Sequence, residues 1–397
     1  MPAGSGVDRP LLSRFGPPSR RTWWERAGGD AVRWTESDWG LVVAALGLSV
    51  VGALLVWSAT RRQDGTAYLV RHLLNTAIGL GLAAVLTRMG YQLLRALAPV
   101  LYLASVGGLV LVLTPVGSTI NGSHSWIQLP GGFSVQPSEL AKVALCLGLA
   151  IILSERLDRG ATPDGRDLLF AAGVGAVPIG LVMLQPDLGS ALVLGALAFG
   201  VVAVSGAPKR WLAATVALVV GGIVVALTTP VLGAYQRDRL TAFANPQADP
   251  QGFGYQTRQV RIAIGSGGWS GQGLFHGHQT QGGFIPFQQT DFVFSVAGEE
   301  LGFLGAAGLV LLLGFVILRS LLVAARAQDA FGLLVGAGVA VWFLFQVFEN
   351  VGMNLGLMPV TGLPLPFLSY GGSSMFACWL AIGLVNNAHL SSLRRSR

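Results

Sequence analysis

Residues 39–60 read WGLVVAALGLSVVGALLVWSAT and contain no charged side chain. An α-helix of this length rises about 33 Å, enough to cross the hydrocarbon core of a bilayer. The pattern therefore predicts a transmembrane helix. Nine further apolar runs follow it, at about 70–87, 95–115, 139–154, 168–184, 188–206, 211–230, 298–318, 330–349 and 372–390.

The composition assigns the whole chain to the same class. Of its 397 residues 52% are hydrophobic, only 11% are charged, and 55 are glycine. A soluble domain of this size would carry far more charge. We therefore predict an all-α polytopic membrane protein with about ten transmembrane helices.

The basic residues predict its orientation. Arginine and lysine concentrate in the N-terminal segment, in alternate short turns and at the C-terminus. The positive-inside rule then makes both termini cytoplasmic. The net charge of +7 suits contact with anionic membrane lipids of the inner leaflet, and no nucleic acid partner is expected.

This orientation divides the chain into a disordered cytoplasmic tail, a transmembrane domain and a short basic tail, at 1–38, 39–390 and 391–397. One large outer loop, at about 231–297, lies between the seventh and eighth spans. A membrane protein that keeps one large loop outside the bilayer usually works there.

Asp291 is the leading catalytic candidate on the outer side. It lies where the large loop re-enters the membrane, among Phe287, Phe292 and other apolar residues. Apolar surroundings raise a carboxyl pKa, as a general base requires. The alternative is that Asp291 caps a helix beginning near Ser295, since aspartate is a preferred N-cap residue.

Glu139 and Lys142 form a second candidate site. They are three residues apart after Gln136-Pro137-Ser138, so they share one helix face. The pair is either a structural ion pair or an ammonium positioned for an anionic headgroup. Asp187 lies within Gln185 to Ser190, where proline, aspartate and glycine are sufficient to predict a tight turn.

Further segments contain residues that could form a site. Prolines and small residues between Met358 and Ser374 predict a rigid broken-helix segment that lines a cavity. His276 and His278 lack a third ligand nearby, so no metal site is assigned to them. Cys146 and Cys378 fall inside predicted spans, and no disulfide is expected.

Several ordered motifs resemble the SEDS family of bacterial cell-wall polymerases. Together they span about residues 38–390 and are specific in combination. They are Asp38-Trp39 with Ser58-Ala59-Thr60, Gln136 to Glu139 with Lys142, Gln185 to Gly189, Ala263 to Gly268, Thr290-Asp291-Phe292 with Gly298 to Gly302, and Pro364 to Ser374.

The resemblance implies a peptidoglycan glycosyltransferase of the bacterial cell membrane that polymerises lipid II. Asp291 matches the family's loop aspartate and would be the catalytic base. Lys142, oriented by Glu139 and helped by Arg239 or Arg258, would bind the pyrophosphate. The other expected substrate-binding residues are Trp126, Gln259, Ser369, Tyr370, Gly371, Gly372 and Ser373.

The resemblance also implies partners. A class B penicillin-binding protein is expected beside the chain, and a divalent cation, Mg or Mn, could bind at the pyrophosphate. Gln185-Pro186-Asp187 and residues 56–60 favour the elongation branch of the family over the division branch. Many relatives carry an acid where this chain has Phe287, and some carry another where it has Gly283.

Two other functions fit the same residues. A lipid II flippase would explain the many spans and the Glu139–Lys142 pair. A non-catalytic scaffold for the penicillin-binding protein would explain the altered residues before Asp291. Against a flippase, there is no inverted repeat in the sequence, and the polar residues concentrate at the outer face.

Overall fold

The computed structural model describes residues 34–120, 123–129, 133–228, 239, 243, 245 and 252–395. Most of the predicted tail 1–38, part of the predicted loop 231–297 and the last two residues of the tail 391–397 lie outside these ranges. The helices are α1 (Trp39–Asp64), α2 (Ala67–Arg88), α3 (Tyr91–Val112), α4 (Pro137–Asp158), α5 (Gly165–Leu184), α6 (Leu188–Val204), α7 (Lys209–Thr228), α8 (Phe253–Ser266), α9 (His278–Gly282), α10 (Val293–Glu300), α11 (Gly302–Arg326), α12 (Ala330–Leu355) and α13 (Gly372–Arg395).

The helical membrane fold predicted from the sequence is confirmed. Among the described helices, α1, α2, α3, α5, α11 and α12 are long and apolar enough to cross a membrane. The other four predicted spans correspond to α4, α6, α7 and α13, which are helical over 22, 17, 20 and 24 residues. The total of ten spans stays a prediction.

A small antiparallel sheet was not predicted. Its strands are β1 (Gly117–Ile120), β2 (Ser123–Leu129) and β3 (Phe133–Val135), in the order β1-β2-β3. Gly117 pairs with Ile127, and Ile127 pairs in turn with Val135. The strands are short and lie between two helices, so the hydropathy of these residues predicts only an outer loop.

Helices α4, α12 and α13 form the centre of the bundle, and α12 packs against α4, α6, α11 and α13. Close approach depends on glycine at some contacts. A side-chain carbon at Gly52 of α1 would lie 2.6 Å from the carbonyl oxygen of Leu368. Small residues allow such contacts between membrane helices, and here Gly52 brings α1 against the segment between α12 and α13.

The N-terminal end of α1 contacts α13. Asp38 Oδ1 accepts a hydrogen bond from Leu41 N and so caps α1, while Arg319 Nη2 lies 2.6 Å from Asp38 Oδ2. Asp38 N donates to Asn386 Oδ1 of α13 at 2.9 Å. The beginning of α1 therefore lies beside the end of α13, as expected if both termini are on one side of the membrane.

Candidate active site

A cavity of about 330 Å³ lies at the other end of the bundle. It is enclosed by α2, the sheet, the starts of α4 and α6, the segment before α10 and the segment between α12 and α13. Its lining residues are Arg71, Asn75, Ile120, Ser123, Ser125, Trp126, Ser134, Gln136, Pro186, Asp187, Arg239, Phe287, Thr290, Asp291, Thr361, Gly362, Pro364, Tyr370, Gly371, Gly372, Ser373 and Ser374.

Asp291 is held in the cavity wall by its backbone. Its amide donates to the carbonyl of Phe287 at 3.1 Å, in a tight turn where Phe287 has a φ of 57°. Its carbonyl oxygen accepts from Asn350 Nδ2 at 2.9 Å and from Asn354 Nδ2 at 3.3 Å. Both asparagines belong to α12, so the central helix fixes the position of the carboxylate.

Helix α10 begins at Val293, and its N-cap residue is Phe292, with no side-chain capping bond. The alternative in which Asp291 caps this helix is therefore wrong. The Asp291 carboxyl instead faces the cavity beside Gly362, where an added side-chain carbon would lie 3.5 Å from Asp291 Oδ2. Gly362 has a φ of 73°, a conformation that glycine adopts without strain.

Burial raises the pKa of Asp291 to about 6. A hydrogen bond from Thr290 and the positive charge of Arg239 act in the opposite direction, and the negative charge of Asp187 raises the pKa further. Removing a carboxylate from water disfavours its charged form. A pKa near 6 lets the carboxylate accept a proton at neutral pH.

Arg239 supplies a cation next to Asp291. Its Nη1 donates to the carbonyl oxygen of Thr361 at 3.0 Å, and its guanidinium lies 5.3 Å from the ring centroid of Phe253. An atom built on Gly362 would also lie 3.8 Å from Arg239 Nη2. The Arg239 guanidinium and the Asp291 carboxylate therefore both lie next to the backbone of Gly362.

Asp187 caps a helix and also forms a bond across the cavity wall. Its Oδ1 accepts from Ser190 N at 3.0 Å and caps α6, as turn chemistry predicts. Its Oδ2 accepts from Gln136 Nε2 at 2.9 Å, and Gln136 N donates to Ser373 Oγ at 2.9 Å. These bonds join the starts of α4, α6 and α13 at the cavity wall.

The cavity brings together many of the residues that the sequence singled out. Besides Asp291, it is lined by Trp126, Arg239, Tyr370, Gly371, Gly372 and Ser373. The expectation that residues 358–374 line a cavity also agrees with the structure. Ser369 lies just beneath, where its Oγ accepts from Leu365 N at 2.8 Å.

Lys142 and Glu139 do not line the cavity. Both are buried, and Lys142 Nζ donates to Glu139 Oε1 at 2.7 Å and to Gln346 Oε1 at 3.1 Å. Because the ammonium is enclosed by protein, this geometry favours the structural ion pair over direct contact with an anionic headgroup. Gln346 Nε2 in turn donates to the carbonyl of Pro364 at 2.7 Å, so the pair supports the cavity wall from below.

Arg258 and Gln259 are also outside the cavity lining, on α8. Arg258 is exposed and Gln259 is half-buried. The family resemblance implies substrate binding by both residues, with Arg258 at the pyrophosphate. The fold of the large outer loop decides which of its side chains turn toward the cavity.

Arg71 and Asn75 of α2 line the cavity but were missed. They fall at the start of a predicted span, where the apolar pattern predicts only a membrane helix. Within the described residues the exposed Arg71 guanidinium has no hydrogen bond or ion pair, and the buried Asn75 Oδ1 has no partner. The available signal was a cation and an amide four residues apart on a membrane helix.

Among the described residues, no group of three or more histidine, cysteine, aspartate or glutamate side chains could hold a metal ion. Asp187 and Asp291 are the carboxylates in the cavity lining. Two carboxylates together with phosphate oxygens from a substrate are a common donor set for magnesium.

Fold and cavity define a multi-pass α-helical membrane protein with a carboxylate and guanidinium groups at one end of its bundle. A family model for FtsW, RodA and SpoVE, described as a cell cycle protein, matches residues 38–393. The chain belongs to this family, the SEDS family, and its place is in the bacterial membrane.

Named relatives cover nearly the whole chain. The probable peptidoglycan glycosyltransferase FtsW of Trichlorobacter lovleyi is 37% identical over 89% of this chain and 93% of its own length. Peptidoglycan glycosyltransferase MrdB of Escherichia coli is 34% identical over 94% and 96%.

Solved structures give the same result. A chain from a peptidoglycan synthase complex that coordinates polymerization and crosslinking has a TM-score of 0.77 and is 36% identical, covering 90% of this chain and 99% of that one. The rod shape determining protein RodA of Thermus thermophilus has a TM-score of 0.66 and is 35% identical over 90% and 97%.

Proposed function

We propose that the chain is a peptidoglycan glycosyltransferase that polymerises lipid II at the outer face of the bacterial cell membrane. The observation that carries the proposal is the carboxylate of Asp291, with its pKa raised to about 6, in a cavity shared with two arginines. The names of the family's members support the same activity.

Asp291 would act as the general base. The 4-hydroxyl of an acceptor sugar gives its proton to the Asp291 carboxylate while its oxygen attacks C1 of the donor sugar. The bond from C1 to the lipid pyrophosphate breaks, and the anomeric centre is inverted. Such a single displacement requires one base and no protein nucleophile.

Arg71 and Arg239 would stabilise the departing pyrophosphate. Guanidinium groups match phosphate oxygens in geometry and charge. Both line the cavity, whereas the Lys142 ammonium is enclosed by Glu139 and Gln346. We therefore transfer the pyrophosphate role from Lys142 to Arg71 and retain it for Arg239, with Lys142 as a positioning residue.

A divalent cation would neutralise pyrophosphate charge when bound. In the cavity, Asp187 is the carboxylate best suited to hold it, because Asp291 is needed as the base. The remaining ligands would be substrate oxygens and water, an arrangement typical of magnesium.

We further propose that the chain serves cell elongation together with a class B penicillin-binding protein. The Gln185-Pro186-Asp187 motif and residues 56–60 support elongation. A structural neighbour belongs to a complex that couples polymerization to crosslinking. Complementation tests this assignment: the chain and its cognate partner should restore rod shape after depletion of an elongation polymerase, and should fail after depletion of a division polymerase.

The activity itself is tested with purified lipid II. The protein, co-purified with its class B partner, should form glycan chains, and Asp291→Asn should slow polymerisation by about 10²- to 10⁴-fold, the usual contribution of a general base. Asparagine preserves the shape of the side chain. Partner binding and thermal unfolding should therefore match those of the unmodified protein.

Arg258→Gln is the matched control, since it removes charge from the same loop outside the cavity. It should retain most of the activity. Equal rates for the unmodified protein and Asp291→Asn would contradict the assignment of the base. A folded but inactive unmodified complex would favour a flippase or a scaffold.

A further inference from the structure

A second recess, of about 460 Å³, lies on the surface away from the catalytic cavity. It is formed where the last turn of α1 meets the segment before α9. Arg61 and Arg62 come from α1, Phe275 and His276 come from the segment, and His278 begins α9. The two sites share no lining residue.

The arginines are fixed by the protein. Arg61 Nη2 donates to the carbonyl of Phe275 at 2.9 Å, its Nε donates to Gln281 Oε1 at 3.2 Å, and its guanidinium lies 4.8 Å from the centroid of the Phe275 ring. Arg62 Nη1 donates to the carbonyl of Gln281 at 3.1 Å. Each guanidinium has five N–H donors, so both retain donors for a ligand.

Gln281 is itself held in one orientation. Its Nε2 donates to the carbonyl and hydroxyl oxygens of Ser58 at 3.1 and 3.0 Å, leaving its Oε1 to accept from Arg61. Ser58 Oγ donates to Glu300 Oε1 at 2.6 Å. Because this chain of bonds reaches the buried end of α10, the recess is preorganised, which lowers the entropy cost of binding.

The recess carries unneutralised positive charge. None of the described residues that line it is acidic. Asp64 ends α1 nearby, but among the described residues neither arginine of the recess forms an ion pair with it. Glu299 and Glu300 lie behind the wall, where their oxygens accept hydrogen bonds from residues 277–281 and from Ser58.

We propose that this recess binds a phosphate group carried by an anionic phospholipid of the outer leaflet. Arg61 and Arg62 end a helix long enough to cross the membrane, so they lie at the level of the headgroups. Phe284 lines the same recess and is 50% exposed. An aromatic ring at that level suits the boundary between headgroup and acyl chain.

The test measures binding of phosphatidylglycerol to the purified full-length chain by native mass spectrometry, with phosphatidylcholine, a zwitterionic lipid whose net charge is zero, as the comparison. The variant is Arg62→Gln with His278→Gln, because both side chains are exposed and the described residues show no bond from the His278 ring. We expect phosphatidylglycerol affinity to fall about fivefold for the lost arginine charge alone. Arg258→Gln, outside the recess, should bind like the unmodified protein.

Two results would overturn the proposal. One is equal phosphatidylglycerol affinity for the double variant and the unmodified protein. The other is equal retention of phosphatidylcholine. Competition with inorganic phosphate shows which part of the lipid is recognised. If inorganic phosphate displaces phosphatidylglycerol, the phosphate group alone accounts for binding. If it does not, and binding still depends on Arg62, the recess recognises the phosphate together with the lipid that carries it.

Thermal unfolding of the double variant shows whether a loss of phosphatidylglycerol affinity is caused by misfolding. The binding readout is also independent of catalysis. Asp291→Asn should bind phosphatidylglycerol normally even though it polymerises glycan about 10²- to 10⁴-fold more slowly, so failure of the proposed function and failure of the lipid site are distinguishable.

Discussion

At Asp291, burial and neighbouring charge act in opposite directions on one carboxyl group. Burial raises its pKa, Arg239 lowers it, and the value is about 6. The carboxylate is the active form of a general base, so activity should be complete above this pH and should fall as the group is protonated.

The first prediction is a pH profile. In lipid II polymerisation, kcat/KM should fall about tenfold per pH unit below about pH 6. Arg239→Gln removes the charge that lowers the pKa, so its midpoint should move to higher pH. Arg258→Gln should leave the midpoint unchanged. A rate that is constant through this range would contradict the role of Asp291.

The second prediction concerns Gly362. Gly362→Ala places a side chain in the left-handed region and within 3.5 Å of Asp291 Oδ2. Gly160→Ala is the matched control, since Gly160 has a φ of 74° but no atom within 4 Å of an added carbon. Both should lose about 1–2 kcal/mol of stability from the strained backbone. Only Gly362→Ala should also reduce activity, and equal activity would contradict the predicted contact.

Helices α4 and α12 meet through a buried polar network. Lys142 bonds to Glu139 and Gln346, and Trp342 Nε1 donates to Gln346 Oε1 at 2.7 Å. Through the bond from Gln346 to Pro364 the network reaches the segment that carries Gly362. A buried pair of this kind costs most when one partner is removed, because the other charge is left uncompensated.

The third prediction follows from that asymmetry. Lys142→Met should destabilise the protein by about 3–5 kcal/mol, and the double variant Glu139→Gln with Lys142→Met should recover most of the loss. Arg156→Met, which breaks partly exposed ion pairs with Asp164 and Asp167, should cost about 1 kcal/mol or less.

Thermal unfolding in detergent provides the measurement. A double variant no more stable than Lys142→Met would show that the ammonium stabilises the protein through something other than Glu139.

On the scale of the whole molecule, the bundle has two chemically different ends. Asp38 beside α1, Arg319 of α11 and Asn386 of α13 meet at one end, and the cavity that contains Asp291 opens at the other. The distribution of basic residues predicts that the first end is cytoplasmic.

The fourth prediction tests this orientation by cysteine labelling. Both native cysteines are buried and should react little. Ser270→Cys and Thr162→Cys replace exposed residues on the predicted outer and inner sides. A membrane-impermeant maleimide should label Ser270→Cys in spheroplasts, and Thr162→Cys only after permeabilisation. The reverse pattern would invert the orientation and place the cavity in the cytoplasm.

Predictions from the sequence agreed with the structure where local composition is enough to define an element or a segment. The apolar runs became helices close to their predicted bounds, and Asp291 and residues 358–374 were found at the cavity. The strands β1 to β3 were missed because short strands between membrane helices have little hydropathy signal. Arg71 was missed for another reason, because its span was read for membrane crossing alone.

The sequence by itself determined the membrane fold and the family, because transfer into hydrocarbon depends on the apolar character of each run and the motifs occur in a fixed order. Only the tertiary structure decided which cation serves the cavity. Lys142 and Arg71 both belong to the first turns of membrane helices, yet packing of α12 against α4 encloses Lys142, while α2 leaves Arg71 open to the cavity. Burial depends on neighbours distant in sequence, which local patterns do not encode.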